Sequence, residues 1–314
     1  MFKKKKYKTL INEAKGLENE NKFTEAKEKY LKAFDISNNI GDVVSYTSLL
    51  VKQKNYDEAI NILKGIIIQE KNITSSKLVG NLYRNVGIIY GIKGEQNKVI
   101  ENLEKSIANG DHSADCYYLC ACAYDIKTPD FDSGDCKKAI EYYKKSIEAD
   151  TTYYSSYLEL GTIYERNSMY EPALNCFLKA YKIDKGKNTN ICYNLGVVYA
   201  SLNQPLRAIE YYKKEIELGN PFHFTYYNLG LIYKNFYKNY DEAKKWYLKA
   251  IEHDKNDMES WYNLGCLYVI INDYKNAKDC FLYVKCHNFD YFYGMRKDIE
   301  LTEFLKSEEY KELL

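Results

Sequence analysis

Apolar residues recur along the chain at helical spacing, in segments that come in pairs. In residues 261–284, apolar or small residues fall at i, i+3, i+4 and i+7, which is one face of a helix. Asn272-Asp273 interrupts this face, and Ala277 and Phe281 mark the same kind of face on a second segment. Two helices joined by so short a turn lie antiparallel, and small residues let their backbones approach closely. This stretch therefore predicts a helical hairpin.

The hairpin pattern repeats through the chain at a nearly constant interval. A small residue followed three positions later by tyrosine marks the first helix of six hairpins, at Gly87, Ala121, Gly161, Gly196, Gly230 and Gly265. These residues are 34, 40, 35, 34 and 35 positions apart. Two earlier segments have the second-helix half of the pattern, with Ala14 and Thr47 at the place of the glycine. Because one hairpin cannot bury its apolar face alone, the repetition predicts about eight hairpins stacked side by side.

The recurring side chains resemble those of the tetratricopeptide repeat, which has small residues at its eighth and twentieth places among conserved aromatic and leucine positions. The resemblance covers residues 7–291. It implies an all-α fold, a right-handed superhelical solenoid of about eight tetratricopeptide helix-turn-helix repeats. The expected repeats are 7–39, 40–79, 80–113, 114–153, 154–188, 189–222, 223–257 and 258–291. Residues 292–314 are expected to form C-terminal capping helices over the last repeat.

The second and fourth repeats each contain six extra residues. In the second repeat they predict a longer second helix through Ile60–Ile68 and a looser exit at Asn72–Ser76. In the fourth repeat they form a turn-rich insertion at Thr128–Gly134, between the two helices. This insertion is interpreted either as a contact loop or as an inert spacer.

Composition and charge narrow the range of partners. The chain has 4 prolines in 314 residues, as helices stacked side by side require. Its 45 basic and 44 acidic residues give a formal charge of +1, so neither nucleic acid nor a membrane surface is the expected partner. No apolar run approaches the ~20 residues of a membrane span. The basic run Lys3–Lys6 lacks the apolar region of a secretory signal, so the expected location is cytoplasmic.

The nine cysteines and four histidines raise the question of a metal or catalytic site. His112, Cys116 and Cys120 are spaced i, i+4 and i+8, so they share a helix face that invites a zinc interpretation. However, no C-x-x-C pair is present, and Cys120 occupies a core place where other repeats have leucine. Reduced, packed thiols are favoured instead. Because no nucleophile and base accompany the histidines at consistent places, we expect no cofactor and no enzymatic activity.

The candidate binding residues follow from the resemblance. In this family the first helices line a concave groove, and the second, fifth, sixth, ninth, twelfth and thirteenth places face the ligand. The sixth place is asparagine in five repeats and the fifth is tyrosine in three: Asn12, Asn85, Asn194, Asn228 and Asn263, with Tyr193, Tyr227 and Tyr262. An amide both donates and accepts, so a row of amides can pair with the backbone of an extended peptide. Alternatively, the asparagines hydrogen-bond neighbouring helices and stabilise their stacking.

The sequence thus predicts a non-catalytic scaffold or adaptor that binds an extended peptide segment in its concave groove. The expected partners are other proteins or peptide segments. Two alternatives stay open. One is a regulatory protein that senses a peptide by changing its superhelix pitch, and the other is an auxiliary subunit that docks an enzyme through the insertion of the fourth repeat.

Overall fold

The computed structural model describes residues 2–37, 40–70, 76–127 and 131–314. These residues form helices and turns, with no strand among them. Sixteen helices follow one another as eight consecutive pairs, which confirms the predicted all-α class of helix-turn-helix repeats. The pairs are α1 (Phe2–Asn19) and α2 (Phe23–Ser37), α3 (Ile40–Lys52) and α4 (Tyr56–Glu70), α5 (Ser76–Ile92) and α6 (Gln96–Ala108), α7 (Ala114–Lys127) and α8 (Gly134–Ala149), α9 (Tyr154–Arg166) and α10 (Tyr170–Asp184), α11 (Thr189–Ser201) and α12 (Pro205–Leu218), α13 (His223–Asn235) and α14 (Tyr240–His253), and α15 (Met258–Ile270) and α16 (Tyr274–His287).

The chain divides into two compact units, residues 1–156 and 157–314. The first unit contains α1 to α8, and the second contains the helices that follow the first turn of α9. The predicted longer second helix of the second repeat is wrong: α4 has 15 residues, as many as α2 and α10 and one fewer than α8. The predicted loose exit at Asn72–Ser76 lies outside the described residues except for Ser76, and so does the start of the predicted insertion, residues 128–130.

Each hairpin of the second unit closes on a glycine of its first helix. An added Cβ at Gly196 or Gly230 would lie 2.5 Å from the ring of the tyrosine opposite, Tyr212 or Tyr247. The corresponding distances at Gly161 and Gly265, which face phenylalanine rings, are 2.6 and 2.7 Å. These distances are shorter than any ordinary contact to a Cβ. The recurring glycine is therefore a packing requirement, because it leaves room for the buried ring of the second helix.

In seven of the eight hairpins the turn after the first helix contains one left-handed residue, and the turn of the fourth lies partly outside the described residues. One residue adopts a left-handed conformation, with φ between 51° and 75°, at Asn21, Lys54, Gly94, Ser168, Asn203, Lys238 and Asn272. In the last hairpin Asp273 N donates to Tyr268 O at 2.8 Å and Asn272 N donates to Val269 O at 3.0 Å. This pair of bonds is a Schellman motif, which satisfies the last carbonyl groups of the helix. It explains why the connections are so short.

The C-terminal segment consists of short helical elements: two α-helices, α17 (Phe289–Gly294) and α18 (Glu308–Lys311), and three single 3₁₀ turns at Met295–Lys297, Ile299–Leu301 and Phe304–Lys306. Its buried apolar side chains join the core of the second unit: Phe292, Met295, Leu301, Phe304, Tyr310 and Leu313. Leu314, which the sequence predicts to cover the last repeat as well, is instead 67% exposed. The segment therefore packs on the second unit through short helices and single 3₁₀ turns.

Candidate functional site

The candidate binding surface is formed by the six outward places of the first helix in each hairpin. We call this surface the first-helix face and describe it separately for the two units. In the first unit it lies on α1, α3, α5 and α7, and in the second on α9, α11, α13 and α15. The predicted residues Asn12 and Asn85 lie on the first-unit face. Asn194, Asn228, Asn263 and the three tyrosines lie on the second-unit face.

The first-unit face contains an open apolar cavity between α5, α6 and α7, which we call the isoleucine notch. Its volume is about 350 Å³, which is near the lower end of the roughly 300–1,000 Å³ typical of ligand pockets. Among the eleven described residues that line the notch, none is Lys, Arg, Asp or Glu. They are Gly87, Ile88, Gly91, Ile92, Gln96, Val99, Leu103, Leu119, Cys122, Ala123 and Ile126.

Three isoleucines at the mouth of the notch keep much of their surface in water. Ile88, Ile92 and Ile126 are 39%, 52% and 76% exposed, although other isoleucines of the unit, such as Ile89, are buried. An isolated exposed isoleucine is ordinary, whereas a cluster around a cavity marks a binding surface. The notch can therefore accept a large apolar side chain.

Glycine on α5 opens the notch. The position of an added Cβ at Gly91 has only Val99 Cγ2 within van der Waals range, at 3.8 Å, so this glycine faces open space. One turn earlier, an added Cβ at Gly87 would already meet Leu103 Cγ at 3.1 Å. Sequence reasoning missed the notch. The signal was available, because Gly91 and the isoleucines occupy the twelfth, ninth and thirteenth places of the third and fourth repeats.

Two ion pairs join charged places of different first helices on the first-unit face. Lys52 Nζ lies 2.5 Å from Glu18 Oε1 on the preceding first helix, and this ammonium holds the pKa of Glu18 below its usual range. Arg84 Nη1 lies 2.8 Å from Asp115 Oδ2 on the following first helix. These pairs leave little unbalanced charge on the face, which disfavours a strongly charged ligand.

The two asparagines of the first-unit face have different surroundings. Asn12 is exposed on α1. Asn85 is half-buried on α5, and its Nδ2 donates to the carbonyl oxygen of Asn81 one turn earlier at 2.8 Å. This bond occupies one hydrogen of the amide, and the second hydrogen and the amide oxygen can still serve a ligand.

On the second-unit face, tyrosines and asparagines of successive repeats join in rungs. Asn263 Nδ2 on α15 donates to Tyr227 Oη on α13 at 3.4 Å and to the Glu259 carbonyl oxygen at 3.0 Å. One repeat earlier, the Asn228 side chain lies close enough to the hydroxyls of Tyr193 and Tyr212 to lower the pKa of both, against the larger effect of burial. A rung thus links the fifth place of one repeat with the sixth place of the next.

Burial accompanies these rungs. It raises the pKa of Tyr193 and of Tyr227, while the hydrogen bond from the asparagine lowers it. The Glu165 carboxyl lies near Tyr193, and burial raises its pKa too. Asn194, which follows Tyr193 in the sequence, is half-buried on α11. The rungs favour the stacking role of Asn228 and Asn263 that the sequence left open.

The C-terminal segment, which the sequence predicts to cover the last repeat, also contacts the second-unit face on α13 and α15, and this contact was not predicted. Asp298 Oδ2 accepts a hydrogen bond from Tyr262 Oη on α15, and Glu300 Oε2 lies 2.7 Å from Lys234 Nζ on α13. Among the site tyrosines, Tyr262 is therefore bound to the chain's own tail. We call residues 291–301 the C-terminal strap.

The residues considered for zinc have other partners. His112 Nδ1 lies 2.9 Å from Tyr117 Oη, and Cys116 Sγ donates to Ser106 Oγ at 3.3 Å. Burial raises the pKa of Cys116 to about 11, which keeps it a thiol. In the described part of the chain, no group of three or more His, Cys, Asp or Glu side chains is arranged to hold a metal ion. Across the same residues, no helix is both long enough and apolar enough to cross a bilayer.

Hairpins of this geometry, stacked on small residues and presenting a first-helix face, define a class of helical repeat proteins. Models of the tetratricopeptide repeat match residues 154–187, 189–218, 225–257 and 246–279. The chain is a tetratricopeptide repeat protein, as its residue pattern predicts. The match lies in the second half of the chain, where the glycine and tyrosine places are most regular.

Curated proteins that resemble the chain do so over less than half of it. It is 28% identical over 152 residues to the TPR repeat-containing protein MJ1428 of Methanocaldococcus jannaschii, covering 48% of this chain and 26% of that protein. It is 24% identical over 134 residues to the human protein O-mannosyl-transferase TMTC3, covering 42% and 14%. It is 22% identical over 140 residues to the anaphase-promoting complex subunit 3 of Schizosaccharomyces pombe, covering 45% of this chain and 21% of that protein. The chain thus spans about a quarter or less of these relatives.

Solved structures support the fold. The C-terminal part of a TPR repeat-containing protein from Cytophaga hutchinsonii has a TM-score of 0.62 at 17% identity, covering 78% of this chain and 95% of that one. Pseudomonas aeruginosa pilF has a TM-score of 0.57 at 20% identity, covering 74% and 99%. At these identities the likeness concerns the arrangement of helices alone.

Proposed function

We propose that the chain is a non-catalytic protein-interaction scaffold whose first-helix faces bind an extended segment of a partner protein. The isoleucine notch is the observation that carries this proposal. It combines an open apolar cavity with exposed isoleucines on the surface that this family presents to ligands. The similarity of the chain to part of a subunit of the anaphase-promoting complex supports a role in assembling proteins.

In this proposal the partner segment runs along the first-unit face and inserts one large apolar side chain into the notch. Asn85 lies one turn before the notch on the same helix, so its amide can pair with the backbone of the segment. Asn12 extends the polar part of the face on α1. Because neighbouring charges are paired, selectivity comes mainly from the inserted side chain.

On the second-unit face we propose Tyr193 and Asn194 as peptide contacts. Asn263, Tyr227 and Tyr262 act mainly as braces, since the polar atoms of these three side chains already bond to neighbouring elements. The proposal includes a cytoplasmic location, which the nine cysteines support, because the structure holds them as thiols and reducing compartments maintain thiols.

The proposal is tested by selecting peptides from a random display library on the full chain. The wild-type chain should enrich peptides with a large aliphatic or aromatic residue. Gly91→Leu should abolish this enrichment, because the added side chain fills the notch. Gly65→Leu is the matched control, since Gly65 lies on a second helix and its added Cβ meets nothing within 4 Å. Enrichment that survives Gly91→Leu would refute binding through the notch.

A further inference from the structure

The C-terminal strap lies across two successive first helices of the second unit. It begins beside α15, where the Tyr291 ring meets the Tyr262 ring edge-on at 5.4 Å between centroids. Asp298 then accepts from Tyr262, and Glu300 pairs with Lys234 on α13. The strap thus occupies the surface that an external segment would otherwise contact.

The strap buries places that are open elsewhere. Lys234 and Val269 occupy twelfth places, and Cys266 a ninth place, yet they are only 7%, 6% and 1% exposed. In the first unit, by contrast, Ile88 at a ninth place is 39% exposed. The difference lies in the covering segment, because all these residues occupy the outward side of their helices.

The strap meets the face with a distinct chemical pattern. Asp298 and Glu300 are two positions apart and both point their carboxylates at the face, whereas Ile299 between them is 88% exposed. Leu301 follows and is fully buried. The face complements this pattern with an ammonium group, a phenol hydroxyl and an apolar seat.

We propose that the C-terminal strap is a displaceable occupant of the second-unit face, and that the partner segment replacing it has two carboxylates two positions apart followed by a large aliphatic side chain. This inference rests on the proposed function, because it names the class of segment that this face binds. While the strap is seated, the face binds an external segment only in the fraction of molecules whose strap is open. The strap thereby sets the affinity for the partner.

Opening of the strap is measured on the full chain by maleimide labelling of Cys266, with each cysteine quantified by peptide mass spectrometry. Cys192 serves as the internal control, because it is fully buried in the same unit on α11, whereas the strap contacts α13 and α15. Burial raises the pKa of Cys266 to about 12 and of Cys192 to about 11, so both thiols react slowly while protected.

Loosening the two carboxylate contacts should expose Cys266 selectively. Asp298→Asn with Glu300→Gln is expected to speed its labelling about tenfold or more, and leave Cys192 unchanged. Glu300→Gln alone, a milder variant, should act in the same direction. Glu303→Gln is the matched control, since Glu303 pairs only with Lys306 in its own turn and should have no effect. Unchanged labelling of Cys266, or equal acceleration of Cys192 labelling, would show that the strap is a permanent part of the core.

The nature of the partner is tested with a fluorescent peptide of residues 294–303, GMRKDIELTE. It should bind the Asp298→Asn/Glu300→Gln chain about tenfold more tightly than the wild type, because the seat is then open more often. A peptide with Asn and Gln at the two acidic positions should not bind. If Cys266 becomes reactive but the acidic peptide does not bind, the inferred partner chemistry is wrong. Thiol labelling needs no partner, so a failure of the strap proposal can be distinguished from a failure of the notch experiment.

Discussion

Replacing Gly196 by alanine tests whether close helix packing, rather than helix preference, fixes the glycine of each hairpin. In a helix interior alanine is preferred over glycine by about 1 kcal/mol, so propensity alone predicts stabilisation. However, the new Cβ would lie 2.5 Å from the Tyr212 ring, which is 1% exposed and cannot swing into solvent. Overpacking a core typically costs about 1–3 kcal/mol, or more where nothing can move. Because the Tyr212 ring cannot move aside, the upper part of this range applies, about 2–3 kcal/mol, and subtracting the gain in helix propensity leaves a net loss of about 1–2 kcal/mol in the free energy of unfolding.

The size of this effect is measured by urea unfolding followed by circular dichroism, with hydrogen exchange of α11 and α12 as a local readout. Tyr212→Leu should be destabilising alone but should relieve the clash, so the two substitutions should show a favourable coupling of about 1 kcal/mol in a double-mutant cycle. The fourth repeat has Ala121 at the place of the glycine, and this alanine is fully buried, which indicates that an alanine fits only where the helices are spaced for it. A neutral or stabilising Gly196→Ala would refute the steric reasoning.

Three other substitutions test local features. Gly91→Ala should stabilise the first unit by about 0.5–1 kcal/mol in urea unfolding, because its Cβ meets only Val99 Cγ2 at 3.8 Å. Ser168→Gly should stabilise by about 1 kcal/mol by the same assay, since Ser168 has a φ of 58° and an L residue is strained there. Glu215, fully buried and bonded by Thr225 Oγ1 at 2.5 Å, has a pKa that burial raises above its usual value. Its ionised form therefore opposes folding, so stability relative to Glu215→Gln should fall as the pH rises through this raised pKa, measured by thermal melts at several pH values.

The hairpins could be predicted from the sequence because their determinants are local. The interval between small residues, and the aromatic residue opposite each of them, encode the contact between the two helices of one repeat. Gly265 and Phe281 illustrate this, since an added Cβ on the glycine would lie 2.7 Å from the ring. Such contacts span fewer than twenty positions and follow from helix geometry alone.

The state of the candidate site could be predicted only in part. Residue spacing correctly predicted that Asn263 lies on a first helix. It did not predict that the amide nitrogen of Asn263 would bond to Tyr227, 36 positions away. That bond depends on the distance between neighbouring first helices, which residue spacing does not specify. The strap was harder still, because Lys234 and Glu300 are 66 positions apart and no periodic pattern connects them. The notch, by contrast, could have been predicted from Gly91, because a glycine at an outward place of a first helix leaves open space there.

The size of the notch constrains how a partner must bind. Burying one large apolar side chain contributes roughly 1.5–3 kcal/mol, which by itself corresponds to a dissociation constant weaker than millimolar. About three backbone hydrogen bonds to face amides such as Asn85 would add roughly 0.5–1.5 kcal/mol each. Even together these contacts reach at best the micromolar range, before the cost of ordering the segment.

A useful affinity therefore requires a segment that contacts several repeats. Neighbouring helices lie about 8–10 Å apart, and an extended chain advances about 3.3 Å per residue, so each repeat accommodates about three residues of the partner. A ten-residue segment would reach about three repeats, which fits within the four hairpins of the first unit. Peptides selected in the notch experiment should accordingly lose most of their affinity when shortened to three residues around the inserted side chain, as fluorescence anisotropy would measure. Full affinity in such a short peptide would contradict binding along the face and assign the interaction to the notch alone.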